Sequence, residues 1–326
     1  MRRLKYVYLA LGIGLLAVVA TQVDVPATAA MVGRVGWGLG VLLGIYFLAF
    51  AVDSLAWQIA QPEVPLNPIW AYRMWKVRMV GEVFNNLLPA GGMGGEPLKA
   101  VLMHKHYGLS YTAVTASLLL TKTVNMIALV LFLTGGFILM SDSALPNSYK
   151  MVSGLGLGSF ALAILLFFVI QRLRLTSGLG LWLSRTRFGR GLGDILHHIH
   201  ATESRLVTFY SRLRLRFVVA TALGFVNWML GVAEIYYAAQ FLGHPVSVGD
   251  AWIIEAAVQL LRAGAFFIPA GLGAQEGLFV MIFAAMTGVP TLGAAVAVVR
   301  RLREGVWIGW GLAVGLFFSR KNKAVV

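Results

Sequence analysis

Apolar residues in this chain gather in long runs, with polar and basic residues confined to the stretches between them. Six runs, at 6–23, 36–58, 112–140, 151–170, 217–242 and 291–318, match the roughly 20 residues that carry a helix across a bilayer. Two more, at 79–107 and 251–289, are apolar but broken by Pro89-Ala90-Gly91 and Pro269-Ala270-Gly271. Such breaks free backbone groups that hydrocarbon cannot satisfy, so they persist at membrane depth only inside protein or beside a wet cavity. The pattern predicts an all-α, polytopic integral membrane protein with six full crossings and two re-entrant helical hairpins. It forms a single transmembrane domain over 1–326, with 1–140 as a first half and 217–326 as a second.

Composition agrees with that reading. Of 326 residues, 59% are apolar and 12% charged, and the mean hydropathy is +0.79. Soluble domains carry about 25% charge, so a soluble enzyme, a disordered chain and a nucleic-acid-binding module are excluded. Cysteine is absent, which removes disulfides and thiolate chemistry. The start, Met1-Arg2-Arg3-Leu4-Lys5, resembles a signal peptide, but the following apolar run is longer than the usual ~7–15 residues and predicts a retained first crossing.

The net charge of +14 is distributed unevenly. If the N-terminus is cytoplasmic, the inner segments 1–5, 61–111, 171–216 and 319–326 hold three, five, nine and three basic residues, against two (Arg34 and Lys150) in outer loops. The positive-inside rule therefore predicts that both termini are cytoplasmic, in a bacterial inner membrane. The nine arginines of 171–216, with Leu206, Val207, Phe209 and Tyr210 between them, read either as a basic linker or as an amphipathic segment attracted to anionic inner-leaflet lipid.

The two broken segments share a motif. Pro-Ala-Gly, four residues, then glutamate occurs as Pro89 to Glu96 and again as Pro269 to Glu276. A buried cation follows each glutamate: Lys122 stands 26 residues after Glu96, and Arg300 and Arg303 stand 24 and 27 after Glu276. In the predicted threading the first hairpin enters from the cytoplasm and the second from outside, which makes an inverted-topology repeat. Broken helices at matching positions of two halves mark transport sites. Each glutamate also suits the positive end of a new half-helix, so capping and cavity roles both stand at this point.

Intramembrane charges are candidates for function. Lys122 lies near the middle of its run. Arg300, Arg303 and Glu304 are spaced to share a helix face and to grip an oxyanion; Arg301 points about 100° away. Internal neutralisation, Arg300 by Glu304 and Lys122 by a motif glutamate, is the alternative. Glu234, Glu255 and Arg262 are further candidates, and Arg262 precedes Pro269 by seven residues as Glu82 precedes Pro89. The cluster His197, His198, His200 and Asp194 reads as polar linker ahead of metal site. There is no phosphate-loop or nucleophile-elbow motif, and no cofactor is expected.

Phe84-Asn85-Asn86-Leu87-Leu88-Pro89 with Gly91, Gly92 and Glu96, and Phe267-Ile268-Pro269 with Gly271, Gly273 and Glu276, resemble the lysylphosphatidylglycerol synthase transmembrane (flippase-like) family over about 6–318. The resemblance implies a protein that moves or presents a lipid across the bilayer, with Pro89, Gly91, Gly92, Glu96, Pro269, Gly271 and Glu276 at the motif positions. Bifunctional members append an aminoacyl transferase domain after the membrane region, and none follows within these 326 residues. Stand-alone members include a group associated with hopanoid biosynthesis. The expected site joins these residues to Lys122, Arg300 and Arg303, and the expected partners are membrane lipids and lipid-biosynthesis enzymes. A membrane lipid transferase and a non-catalytic scaffold are the rival readings.

Overall fold

The computed structural model describes residues 14, 17–19, 21, 23–87, 94–172, 205–265, 268 and 271–323. Every regular element among them is helical: α1 (Val25–Gly33), α2 (Gly38–Ala60), α3 (Pro68–Leu87), α4 (Glu96–Tyr107), α5 (Tyr111–Ser141), α6 (Asn147–Arg172), α7 (Arg214–Phe241), α8 (Val248–Gly264), α9 (Ala274–Thr287) and α10 (Pro290–Lys323). A further helical stretch covers 205–212. Four of the described helices, α2, α5, α6 over 147–167, and α7, are long and apolar enough to cross a membrane. The fold is that of a polytopic membrane protein.

Of the other two expected crossings, 6–23 lies largely outside the described residues. The run at 291–318 lies within α10, whose 34 residues include Arg300, Arg301, Arg303 and Glu304. Two expectations need correction. The segment between the first two runs, expected as a loop, contains α1, started by Asp24, whose side chain accepts from Ala27 N at 2.9 Å. The first limb of the first hairpin begins at Pro68, well before residue 79, because its cations are covered by aromatic faces. Arg73 sits 4.9 Å from the Trp70 ring centroid and Lys76 4.5 Å from that of Tyr72.

The helices form two equivalent sets. A long helix, a two-limbed hairpin and a closing long helix occur as α2, α3–α4, α5 and again as α7, α8–α9, α10. Glu96 and Glu276 are separated by 180 residues, and so are Gly108 and Gly288. Both glycines end the second limb of their hairpin in the left-handed region, each at φ 72°. Contacts follow the same two-fold scheme: α2 packs along α7, α5 along the first limb of the other hairpin (α8), and α10 along α3.

The two sets run in opposite directions. Gly38, at the start of α2, lies against the Phe241 ring at the end of α7, while Arg216 at the start of α7 donates to Ile59 O near the end of α2 at 3.5 Å. The equivalent helices α2 and α7 therefore run antiparallel, so the halves form an inverted repeat. Connecting segments sort to opposite ends accordingly. Ala60 packs with Leu206 and Phe209, and Val64 with Met103, Val114 and Phe318 at one end. Arg34 lies beside Gly243 at the other. Residues 173–204, most of the basic segment 171–216, lie outside the described residues; from 205 onward the segment is helical, with Leu206 and Phe209 buried and Arg205 paired with Glu63.

The limbs of the first hairpin touch backbone to backbone. Gly95 N donates to Asn85 Oδ1 at 2.7 Å, and a Cβ on Gly95 would overlap the Gly81 carbonyl. Gly95→Ala is therefore expected to cost about 1–3 kcal/mol through overpacking, while Gly305→Ala, where a Cβ meets open space, leaves stability unchanged or raised. Thermal unfolding in detergent ranks the two; equal melting temperatures would contradict the packing described.

Candidate functional site

One turn of α10 organises the second half. At about 100° per residue, Arg300, Arg301 and Arg303 leave the helix in different directions, yet Arg300 and Arg303 share Glu234. Arg300 Nη2 donates to Glu255 of α8, at 2.8 Å to Oε1 and 3.0 Å to Oε2, and its Nε lies 3.8 Å from Glu234 of α7. Arg301 Nε donates to Glu276 of α9 at 2.5 Å, and its Nη1 to Glu304 at 2.7 Å. Arg303 pairs with Glu234 and lies 3.6 Å from Glu304. Arg300 and Arg303 are each 3% exposed. Aromatic faces cover both: the Phe279 centroid is 5.5 Å from Arg300, and that of Tyr46, from the other half, is 3.8 Å from Arg303.

These pairings correct the sequence expectation at two points. Arg300 is neutralised by Glu255 of α8 rather than by Glu304. Arg301, which spacing alone ranked lowest, is the residue that holds the motif carboxylate Glu276. That carboxylate also caps α9: Glu276 Oε2 accepts from Gly273 N at 2.7 Å.

The first half is built differently. Glu96 Oε1 meets Lys99 Nζ at 2.9 Å and Lys122 Nζ at 3.4 Å. Lys122 is thus held by a motif glutamate, as the neutralisation reading expected. Lys99, buried along the face of Gly81, had not been picked out. Nor had Asp53 on α2, which pairs with Arg78 and accepts from Asn125 Nδ2 at 3.5 Å. An acid inside the 36–58 run was the available signal for it. Arg78 also donates to Phe50 O at 2.8 Å and lies 4.1 Å from that ring's centroid.

Both groups face one cavity of about 950 Å³ between the halves. Its lining includes six acids (Asp53, Glu82, Glu96, Glu234, Glu255, Glu304) and six cations (Arg78, Lys99, Lys122, Arg262, Arg300, Arg303), so its formal charge balances. Such a concentration is costly in a bilayer, which makes the cavity the candidate functional site. Of the residues expected at the site, Glu96, Lys122, Gly271, Arg300 and Arg303 line the cavity. Glu276 stands outside its lining, occupied with Gly273 and Arg301. Pro89, Gly91, Gly92 and Pro269 lie outside the described residues. Glu82 and Arg262 line the same cavity, and no ion pair joins them.

Residues 6–311 match the family described as "Lysylphosphatidylglycerol synthase TM region". The chain belongs to that family. Within the lysylphosphatidylglycerol synthase TM-region family it is similar to a UPF0104 membrane protein of Methanothermobacter thermautotrophicus, 22% identical over 275 residues that cover 78% of each chain. No solved structure matches. The match spans both halves of the repeat and every cavity-lining residue, so the charged cavity lies wholly within the family region.

Removing one partner of a buried pair leaves the other charge uncompensated. Arg300→Ala is expected to cost about 3–5 kcal/mol, and Arg300→Met with Glu255→Leu to recover most of it. Thermal unfolding of the three purified proteins checks this; a double variant no more stable than Arg300→Ala would show that the two side chains are not coupled.

Proposed function

We propose that this protein translocates a membrane lipid with a polar or anionic headgroup, the headgroup passing through the charged cavity while the hydrocarbon chains stay in the bilayer. The observation that carries this reading is the position of the cavity: a charge-balanced, headgroup-sized space at the seam of two inversely related halves, inside an otherwise apolar helical protein. Inverted repeats with broken helices at their interface are the architecture of alternating access. The family match supports a lipid context. Glu96, Lys122, Arg300 and Arg303 are the side chains proposed to meet the headgroup. Glu276 acts from behind them by fixing Arg301 and the start of α9. Pro89, Gly91, Gly92, Pro269 and Gly271 are proposed to form the turns that bring the half-helices to the site.

The proposal extends to placement. Both termini, together with the basic segment 171–216, face the cytoplasm of a bacterial inner membrane, where 171–216 meets anionic inner-leaflet lipid. Hopanoid and polyprenyl lipids are the candidate cargoes alongside phospholipids. Enzymes of lipid synthesis are the candidate suppliers of that cargo.

Lys122 provides the test. In proteoliposomes with a labelled lipid, Lys122→Glu is expected to slow movement between leaflets by about tenfold or more, the loss of one charge-assisted contact of ~1.5–3 kcal/mol. Lys122→Arg keeps the charge and is expected to stay within about twofold of the parent. Equal rates in both variants would remove Lys122 from the path. Covalent change of the lipid in the same vesicles would replace translocation by transfer chemistry.

A further inference from the structure

We propose that the Arg300–Glu255 pair is an exchangeable latch: an oxyanion entering the cavity takes Arg300 from Glu255 and thereby frees the α8 limb of the second hairpin from α10. The inference rests on the translocation reading and adds to it the event that couples headgroup arrival to movement.

Four observations carry it. The pair is built below its capacity: a single nitrogen, Nη2, serves both Glu255 oxygens, while Arg300 Nε, 3.8 Å from Glu234, and Nη1 make no hydrogen bond although both are buried. A guanidinium offers five donors and binds oxyanions best through two nitrogens, so a phosphate satisfies donors that the carboxylate leaves unused. Arg303 Nε, one turn along, is also buried and unpartnered.

The second observation is that Glu255 has another partner ready. Gln259 Nε2 donates to Glu255 Oε1 at 2.6 Å from the next turn of α8, so the displaced carboxylate keeps one hydrogen bond. Third, the exchangeable pair faces the cavity on both sides, whereas neither Glu276 nor Arg301 is in its lining. The oxyanion thus reaches the α8 clasp and leaves the α9 clasp closed. Fourth, the segment joining α8 to α9 contains Gly271 at φ 62° and Gly273 at φ 78°, conformations that let one limb pivot while the other stays fixed.

The first hairpin also faces the cavity with ion pairs, Arg78–Asp53 and Glu96–Lys122, but unlike Arg300 they leave no buried cation nitrogen without a hydrogen bond. Its limbs are tied to each other through Asn85 and Gly95, and its carboxylate Glu96 is tied to Lys99 on its own helix and to Lys122 on α5. The proposed moving limb is α8, which would pivot against α5 of the first half, where Trp252 Nε1 donates to Phe132 O at 3.0 Å.

Because the chain has no cysteine, one substitution reports on the latch. Ile268, buried at 7% exposure at the hairpin tip and part of the cavity lining, is replaced as Ile268→Cys, and the rate of maleimide labelling is followed in dodecyl maltoside micelles in phosphate-free buffer. Adding phosphatidylglycerol is expected to raise the rate by about fivefold or more, the lower end of ordinary coupling between sites. Adding inorganic phosphate instead identifies the source: a rise with both supports exchange by any oxyanion, and a rise with the lipid alone supports exchange by a headgroup. With Glu255→Gln added, labelling is expected to be fast without either. A rate unmoved by both additions overturns the latch, and that comparison needs no latch variant to fold. Slow labelling in a monodisperse Glu255→Gln protein overturns it as well. Flat labelling in a protein that moves lipid defeats the exchange alone, whereas responsive labelling without lipid movement removes the translocation reading.

Discussion

Three arginines on one turn of α10 set the arrangement of everything around them. In hydrocarbon an unpaired charge is expensive, so Arg300, Arg301 and Arg303 bring their counter-ions with them, and those counter-ions sit on three different helices: Glu255 on α8, Glu276 on α9 and Glu234 on α7. Ion pairs of this kind contribute little net stability against well-packed apolar residues. What they specify is register. Arg300 reaches both α8 and α7, Arg303 shares Glu234 of α7 with it, and Arg301 alone reaches α9, so the three fix the rotation of α10 against its neighbours. The packing cluster that joins Phe279, Phe283, Ile253 and Val299 around the turn then supplies the apolar burial that polar contacts do not.

The polar cavity follows from the inverted repeat. Each half contributes three acids and three cations to the lining, and the charges of neither half have bulk water to face in a bilayer. Bringing the halves together gives them a shared, high-polarity space at the seam. The halves nevertheless neutralise their charges in different ways. In the first, Glu96 is drawn to lysines on its own helix and on α5; in the second, Glu276 is spent on a cap and on Arg301. The two copies of the inverted repeat therefore hold different contacts, so the two ends of the cavity are not equivalent.

Much of the architecture was legible in the sequence because the bilayer enforces it. Runs of about 20 apolar residues, two Pro-Ala-Gly breaks and glutamates separated by 180 positions were sufficient to find the helices and pair the halves. The partner assignments were not legible. Arg301 was ranked low because it points about 100° from the face that Arg300, Arg303 and Glu304 share, yet a neighbouring helix, not the helix's own periodicity, decides which arginine reaches Glu276. Asp53 carries the same signal as Lys122, a charge within a predicted crossing, and was overlooked; Lys99, inside the predicted hairpin 79–107, was not singled out and packs on Gly81. α3 reaches back to Pro68 because cations over Trp70 and Tyr72 let a helix continue through a charged stretch, which a count of apolar residues misses. Pro89, Gly91, Gly92 and Pro269 rest on the sequence alone, since they lie outside the described residues.

The central claim is that the two halves cross the membrane in opposite senses, and the absence of native cysteine makes sidedness directly measurable. Single cysteines at Ala144 and Pro245, at one end of the molecule, and at Pro62, Lys105 and Ser211, at the other, would be exposed to an impermeant maleimide in intact cells and again after permeabilisation. The account predicts that Ala144→Cys and Pro245→Cys label in intact cells while Pro62→Cys, Lys105→Cys and Ser211→Cys label only once the membrane is opened. Labelling of Ala144→Cys and Pro62→Cys from the same side would contradict the inverted repeat, and with it the assignment of the cavity to a path between leaflets.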